Sequence, residues 1–247
     1  MSDEMNDEMQ LIVDGKRLDG RKFDELREVK IETGVLKRAD GSCYLEMGNN
    51  KMIAAVYGPR EAFPRHMQDP SRAIIRYRYS MAPFSVDERK RPGPDRRSVE
   101  ISKVSREAFE LVVMKELYPR SGIDIFVEVL QADAGTRAAC INAASVALVD
   151  AGIAMKGIVT SVAIAKVNGE IVLDPFKEED NYGEADMPFA FVIRDGEIKS
   201  IGLLQMDGKL SYDEIRKGLE MAKKGAMEIY RLQREAIIRK YSLEEVE

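Results

Sequence analysis

Leu130-Gln131-Ala132-Asp133-Ala134-Gly135-Thr136-Arg137 closes a strand-patterned run from Asp124 to Gln131 and opens a small-residue helix predicted from Ala138 to Ala151. A strand that feeds a helix through so short a polar turn aims free backbone N–H groups and the positive end of the helix dipole at one point, which makes an anion site. Thr136 and Arg137 would add a hydroxyl and a guanidinium there. The same pattern also suits an ordinary N-cap at Thr136 with Arg137 solvated.

Upstream, Glu28–Thr33, Ser42–Met47 and Lys51–Tyr57 read as an antiparallel meander, and Arg72–Ser80 as a fourth strand with one wet face. A first long helix is predicted after Asp95, closed by Pro119, which puts Arg96 and Arg97 at a second helix start. Downstream, Val159–Lys166 and Glu170–Leu173 form a hairpin across Asn168-Gly169, Ala190–Ile193 and Ile198–Leu204 flank Asp195-Gly196, and a helix runs from Tyr212 to about Tyr241. Strands, helix, strand, helix, strands, helix is an α+β order. With no low-complexity linker, residues 11–241 are expected to form a single domain between acidic tails at 1–10 and 242–247.

Composition narrows the chemistry. At 247 residues and 45% hydrophobic, the chain has material for a sizeable core. No apolar run approaches the roughly 18 residues of a membrane span, so a soluble, cytoplasmic protein without membrane contact is expected. Cys43, Cys140 and a lone His66 leave no disulfide framework, no four-cysteine zinc site and no serine hydrolase triad. Both cysteines read as packed apolar residues, and the stretch from Gly202 to Leu210 fails as a phosphate loop because its spacing and Leu210 are wrong. The net charge of −5 comes from the tails, whose seven acids leave the body at +2. Two basic segments, Arg60–Arg78 and Asp87–Arg97, stand out in it and are rich in arginine, whose fork suits phosphate. Solvated loops account for such runs equally well. Glu178, Glu179, Asp180, Glu184 and Asp186 crowd carboxylates into nine residues with no lysine or arginine between them, which reads as a solvated loop or a cation site.

Gly15-Lys16-Arg17-Leu18-Asp19-Gly20-Arg21, Met47-Gly48-Asn49, Tyr57-Gly58-Pro59, Arg96-Arg97, the 130–137 stretch and the run from Asp180 to Pro188 resemble, in matching order, the ribonuclease PH superfamily. The version from Tyr182 to Pro188 and the Phe63-Pro64-Arg65-His66 loop are similar to the catalytic ribonuclease-PH-like subunits of the archaeal exosome. The resemblance implies a ribonuclease PH fold, ribosomal protein S5 domain 2-like, and phosphorolytic 3′-to-5′ removal of nucleotides from RNA with release of nucleoside diphosphates. Inorganic phosphate is then the co-substrate. Carried over residue by residue, the phosphate site is Arg97, Thr136 and Arg137; Asp180 is the catalytic acid or, alternatively, a metal ligand; and Asp186 is linked to metal binding or to support of the active site, with Mg2+ the implied ion at Asp180 and Asp186. Arg96, Arg65, His66 and Arg60 correspond to positions that hold the RNA backbone. Like-charge repulsion from Glu178, Glu179 and Glu184 is expected to keep Asp180 partly protonated. Implied partners are RNA, a related non-catalytic subunit in a hexameric ring, and cap subunits carrying S1 or KH modules. Two other classes compete: a non-catalytic RNA-binding scaffold, and a hydrolytic metal nuclease releasing monophosphates.

Overall fold

The computed structural model describes residues 10–13 and 15–243, so the acidic residues of both tails lie outside the described residues. In chain order the elements are β1 (Ile12–Val13), β2 (Lys16–Arg17), β3 (Val29–Thr33), β4 (Gly41–Met47), β5 (Asn50–Glu61), β6 (Ile74–Met81), α1 (Arg96–Glu110), β7 (Ser121–Gln131), α2 (Thr136–Asp150), β8 (Ile158–Val167), β9 (Glu170–Leu173), α3 (Lys177–Tyr182), β10 (Ala185–Arg194), β11 (Glu197–Leu204), β12 (Asp207–Gly208) and α4 (Tyr212–Leu243). Short 3₁₀ turns occupy Arg65–Met67 and Lys115–Leu117.

The meander β3-β4-β5 is antiparallel, as its alternation predicts, and continues through β7 to β6 at the far edge. β6 and β7 run parallel, and α1 supplies the long crossover that a parallel pair needs. The second sheet has the order β11-β10-β8-β9, with β12 pairing the start of β10. α2 packs against β4 and β5 of the first sheet and β8 and β10 of the second. Twelve of its residues, Thr136 to Leu148 except Arg137, are buried, which explains their small size. The approach is closest at Gly41, where a Cβ would lie 2.2 Å from the backbone nitrogen of Ala151. One contiguous hydrophobic core therefore includes residues of both sheets, α1, α2 and α4. Among the described residues no helix is long and apolar enough to cross a membrane.

Three expectations change. The first helix stops at Glu110 rather than Pro119, because Val112 and Val113 leave it to bury against the 154–156 segment: Lys156 N–H donates to Val112 O (2.8 Å) and Met114 N–H to Ala154 O (2.9 Å). The acidic run is not a loop but helix α3, a short link and the start of β10. β10 is also longer than the expected Ala190–Ile193, and it passes through Pro188. Pro188 faces Ala163, whose carbonyl is taken by Asp174 N–H, so the missing proline N–H falls on the side where β11 has ended and β12 has not begun.

Candidate active site

The starts of α1 and α2 converge on the start of β10. Arg97, Arg137, Asp180, Asp186, Gln205 and Asp207 line a polar cleft of about 600 Å³ there. The two helix starts differ in kind. At α1, Asp95 caps its own helix, its carboxylate accepting from Ser98 N–H (2.7 Å), so what the cleft receives is the exposed Arg97 guanidinium. At α2 the N-cap is Gly135, which has no side chain to fill the role, so the first N–H groups of the helix are left for an outside anion. Ala134 and Gly135 both hold positive φ, the backbone turn that lets β7 enter α2 so abruptly.

Thr136 is therefore the first helical residue and not the cap, which corrects one of the readings of the sequence. Its buried hydroxyl shares a hydrogen bond with Tyr79 OH (2.9 Å). Burial holds the Tyr79 phenol well above its ordinary value, so it stays protonated and either hydroxyl can donate to the other. Thr136 is not among the residues that line the cleft. Tyr77 and Tyr79 are core residues, not exposed stacking platforms.

Asp180 keeps solvent exposure as a residue, but the protein packed around its carboxyl raises its pKa above the ordinary 3.8, against the opposing pull of Arg97, Arg27 and Arg137. Asp186 is also raised, by burial first and then by the Asp180 charge. The expected repulsion from neighbouring glutamates is not the cause. Glu179 is fully buried against Arg17, whose Nε donates to Oε1 (2.8 Å), and Glu184 pairs with Lys166 (3.0 Å). Long-range pairing neutralises Glu179 and Glu184, two carboxylates of a run that is uncompensated along the chain.

Arg17 and Arg27 form a frame beneath the cleft that residue types alone do not reveal. Besides Glu179, Arg17 donates to the carbonyls of Leu173 (2.8 Å) and Asp174 (3.0 Å), fixing α3 and hence Asp180. Arg27 grips the Asp174 carboxylate through Nε (2.9 Å) and Nη2 (2.6 Å) and also donates to Asp133 O (2.5 Å). Asn50 accepts from Asp133 N–H (2.7 Å) and donates to Ala134 O (2.5 Å), so the turn before α2 is held from two sides. The Gly-Lys-Arg-Leu-Asp-Gly-Arg motif is thus a support for the site.

The RNA-backbone residues do not join this cleft within one chain. Arg96 is exposed at the α1 start but is not among the cleft-lining residues. Arg60 is the last residue but one of β5, paired with Asp40 (2.9 Å) and lying over the Tyr57 ring, and Arg65 and His66 form part of the exposed 3₁₀ turn beyond it. β5 meets β7 at Gln131 through Lys51 and at Gly122 through Arg60, so this basic end lies about 30 Å along the strand from the cleft side. Asp207 and Gln205 also line the cleft, and nothing local in the sequence marks either.

Among the described residues no group of three or more His, Cys, Asp or Glu is arranged to hold a metal ion alone. Mg2+ commonly takes only one or two carboxylates and completes its shell with water and substrate phosphate. Asp180 and Asp186 both line the cleft and could supply two carboxylates of that kind.

The model of the 3′ exoribonuclease family, domain 1 (RNase PH), matches residues 25–154, and that of domain 2 matches residues 157–225. The chain belongs to this family. This ribonuclease PH family member is 76% identical over 231 residues to the exosome complex component Rrp41 of Archaeoglobus fulgidus, across 94% of this chain and 90% of that protein. It is 62% identical over 228 residues to the component of the same name from Methanopyrus kandleri, across 92% of this chain and 94% of that one. The crystal structure of rice Rrp46 superposes with a TM-score of 0.80 at 21% identity, covering 90% of this chain and 99% of that one. A chain of the Archaeoglobus fulgidus exosome with RNA bound to the active site gives 0.73 at 22% identity, covering 88% and 92%. At those identities the two structures bear on the fold alone, the α+β ribonuclease PH fold expected from the sequence.

Proposed function

We propose that this chain is the catalytic subunit of an exosome, a phosphate-dependent 3′-to-5′ exoribonuclease that releases nucleoside diphosphates. The observation that carries the reading is the meeting of Arg97, Arg137, the uncapped start of α2 and the raised carboxyl of Asp180 in one cleft. Bringing a phosphate dianion to an RNA phosphodiester sets like charges together, and guanidiniums with fixed N–H donors offset that repulsion in the ground and transition states. Arg97, Thr136 and Arg137 hold the phosphate. One of its oxygens bonds to the phosphorus of the terminal linkage, the bond from that phosphorus to the O3′ of the preceding ribose breaks, and the proton on Asp180 passes to O3′. The products are a nucleoside diphosphate and RNA shorter by one nucleotide. Asp186 supports Asp180. A bound Mg2+ would instead be held by Asp180 and Asp186 as carboxylates and would supply neutralisation of phosphoryl charge, and the role of Asp180 would then be electrostatic with no proton donated.

Arg60, Arg65, His66 and Arg96 grip the RNA backbone upstream. The separation of Arg60, Arg65 and His66 from the cleft supports a site completed by neighbouring subunits, and the shared core supports 11–241 as one working unit. The proposed setting is a cytoplasmic hexameric ring with a related non-catalytic subunit and S1- or KH-type caps that feed RNA inward. Chromatography of products from RNA incubated with and without phosphate tests the reading. Nucleoside diphosphates formed only with phosphate support it; monophosphates formed without phosphate overturn it.

A further inference from the structure

Arg137 does not stand free in the cleft. Its Nη1 donates to Gln205 Oε1 and its Nη2 to Glu100 Oε2 (2.9 Å), while Gln205 Nε2 donates to Glu100 Oε1 (2.8 Å). The three side chains close a ring in which every donor meets an acceptor and every acceptor a donor. The ring joins α2, α1 and the residue after β11. Arg97 has no such tie among the described residues, although it lies one turn before Glu100 on α1.

We propose that Glu100 and Gln205 are positioning residues for phosphorolysis, holding the Arg137 guanidinium so that its remaining N–H donors face the attacking phosphate. This rests on the reading of Arg137 as a phosphate ligand. Without those ties the partly buried Arg137 side chain at its helix start keeps alternative rotamers, which must be given up when the anion binds. Closing the ring removes that freedom in advance, which is pre-organisation of the binding group. The alternative role for Glu100 is as a nearby negative charge, and it makes the opposite forecast, because removing a carboxylate beside an anion site tightens phosphate binding.

Hydrogen-bond arithmetic supplies the test. In Glu100→Gln, the new amide N–H₂ faces either the Gln205 amide or Arg137, so one ring contact becomes donor against donor. In Gln205→Glu, two carboxylates face each other. In the double swap, Glu100→Gln with Gln205→Glu, the ring closes again. The carboxylate introduced at position 205 accepts from Arg137 through one oxygen and from the amide introduced at position 100 through the other. The carbonyl of that same amide accepts the second Arg137 N–H.

Phosphate titrations of the full-length chain in its assembled complex, at saturating RNA, separate KM for phosphate from kcat. Each single swap is expected to raise phosphate KM by about tenfold, with kcat at saturating phosphate changed far less, and the double swap to return KM to within about threefold of wild type. RNA affinity and melting temperature, measured alongside, report that the complexes are folded. A double variant as impaired as the two singles combined overturns the proposal, as does a Glu100→Gln variant with unchanged or lowered phosphate KM. Arg137→Ala distinguishes the two layers. If it raises phosphate KM while the single swaps do not, the positioning role fails and the phosphate site stands; if it leaves phosphate KM unchanged, the phosphate-site reading itself fails and the proposal with it.

Discussion

Asp180 gains from its surroundings the property that a proton donor needs, a carboxyl that holds its proton above the ordinary aspartate range because protein replaces water around it. The same property works against stability. The folded state binds this proton more tightly than the unfolded chain, so the contribution is fully favourable below 3.8 and is lost as pH rises through the folded value. Asp180→Asn is therefore expected to melt above wild type at pH 7, with the gap closing as pH falls below the carboxylate range, while turnover drops by at least about a hundredfold and RNA remains bound. Calorimetry across pH with a single-turnover assay checks both parts; a lower melting temperature at pH 7 contradicts the account of burial. Recovery of the variant on an RNA whose leaving group is acidic assigns Asp180 to proton donation rather than to metal binding. Arg17 carries the second forecast at this scale. Arg17→Met leaves Glu179 buried and unpaired, a loss of about 3–5 kcal/mol in chemical denaturation. Arg97, Arg137, Asp180 and Asp186 are legible as residues because cations at helix starts and a carboxylate run next to apolar chain are local signals. Glu100, Gln205, Asp207, Arg27 and Glu179 are not, since their types are common and the bonded partners of the ring and frame lie from 37 to 162 positions away.

Elements turn those residues into a site, and the start of α2 is the decisive one. Gly135 holds φ +64, and a Cβ there would stand 3.3 Å from Arg27 Nη2. Gly135→Ala is expected to destabilise the fold by about 1–2 kcal/mol for the left-handed backbone and to raise phosphate KM, as the turn and Arg27 shift together. Thermal melts and phosphate titration of the same preparation test this, and a variant with wild-type phosphate KM contradicts the role given to the turn. The two hairpins, the α2 helix and α4 are readable from glycine turns and apolar spacing. The end of α1 is not, because Val112 and Val113 continue a helical apolar pattern while their backbone pairs with 154–156. β10 reads short because of Pro188, whose tolerance depends on where neighbouring strands end.

For the whole molecule, one core joins two sheets and places the proposed phosphate cleft at one end and a basic turn at the other. Arg65→Glu is accordingly expected to weaken binding of long RNA and flatten its salt dependence, with short RNA turned over at near wild-type rate. Filter binding across salt concentrations decides it; unaltered affinity for long RNA leaves the turn as solvated surface only. The central claim is that the cleft between α1 and α2 receives the attacking phosphate, and Arg97, which has no ion-pair partner there among the described residues, tests it most directly. Turnover of the assembled Arg97→Ala complex is measured against phosphate concentration at saturating RNA. The account predicts a phosphate KM raised by about tenfold or more, as for a lost charge-assisted hydrogen bond. A phosphate dependence identical to wild type in this variant contradicts it.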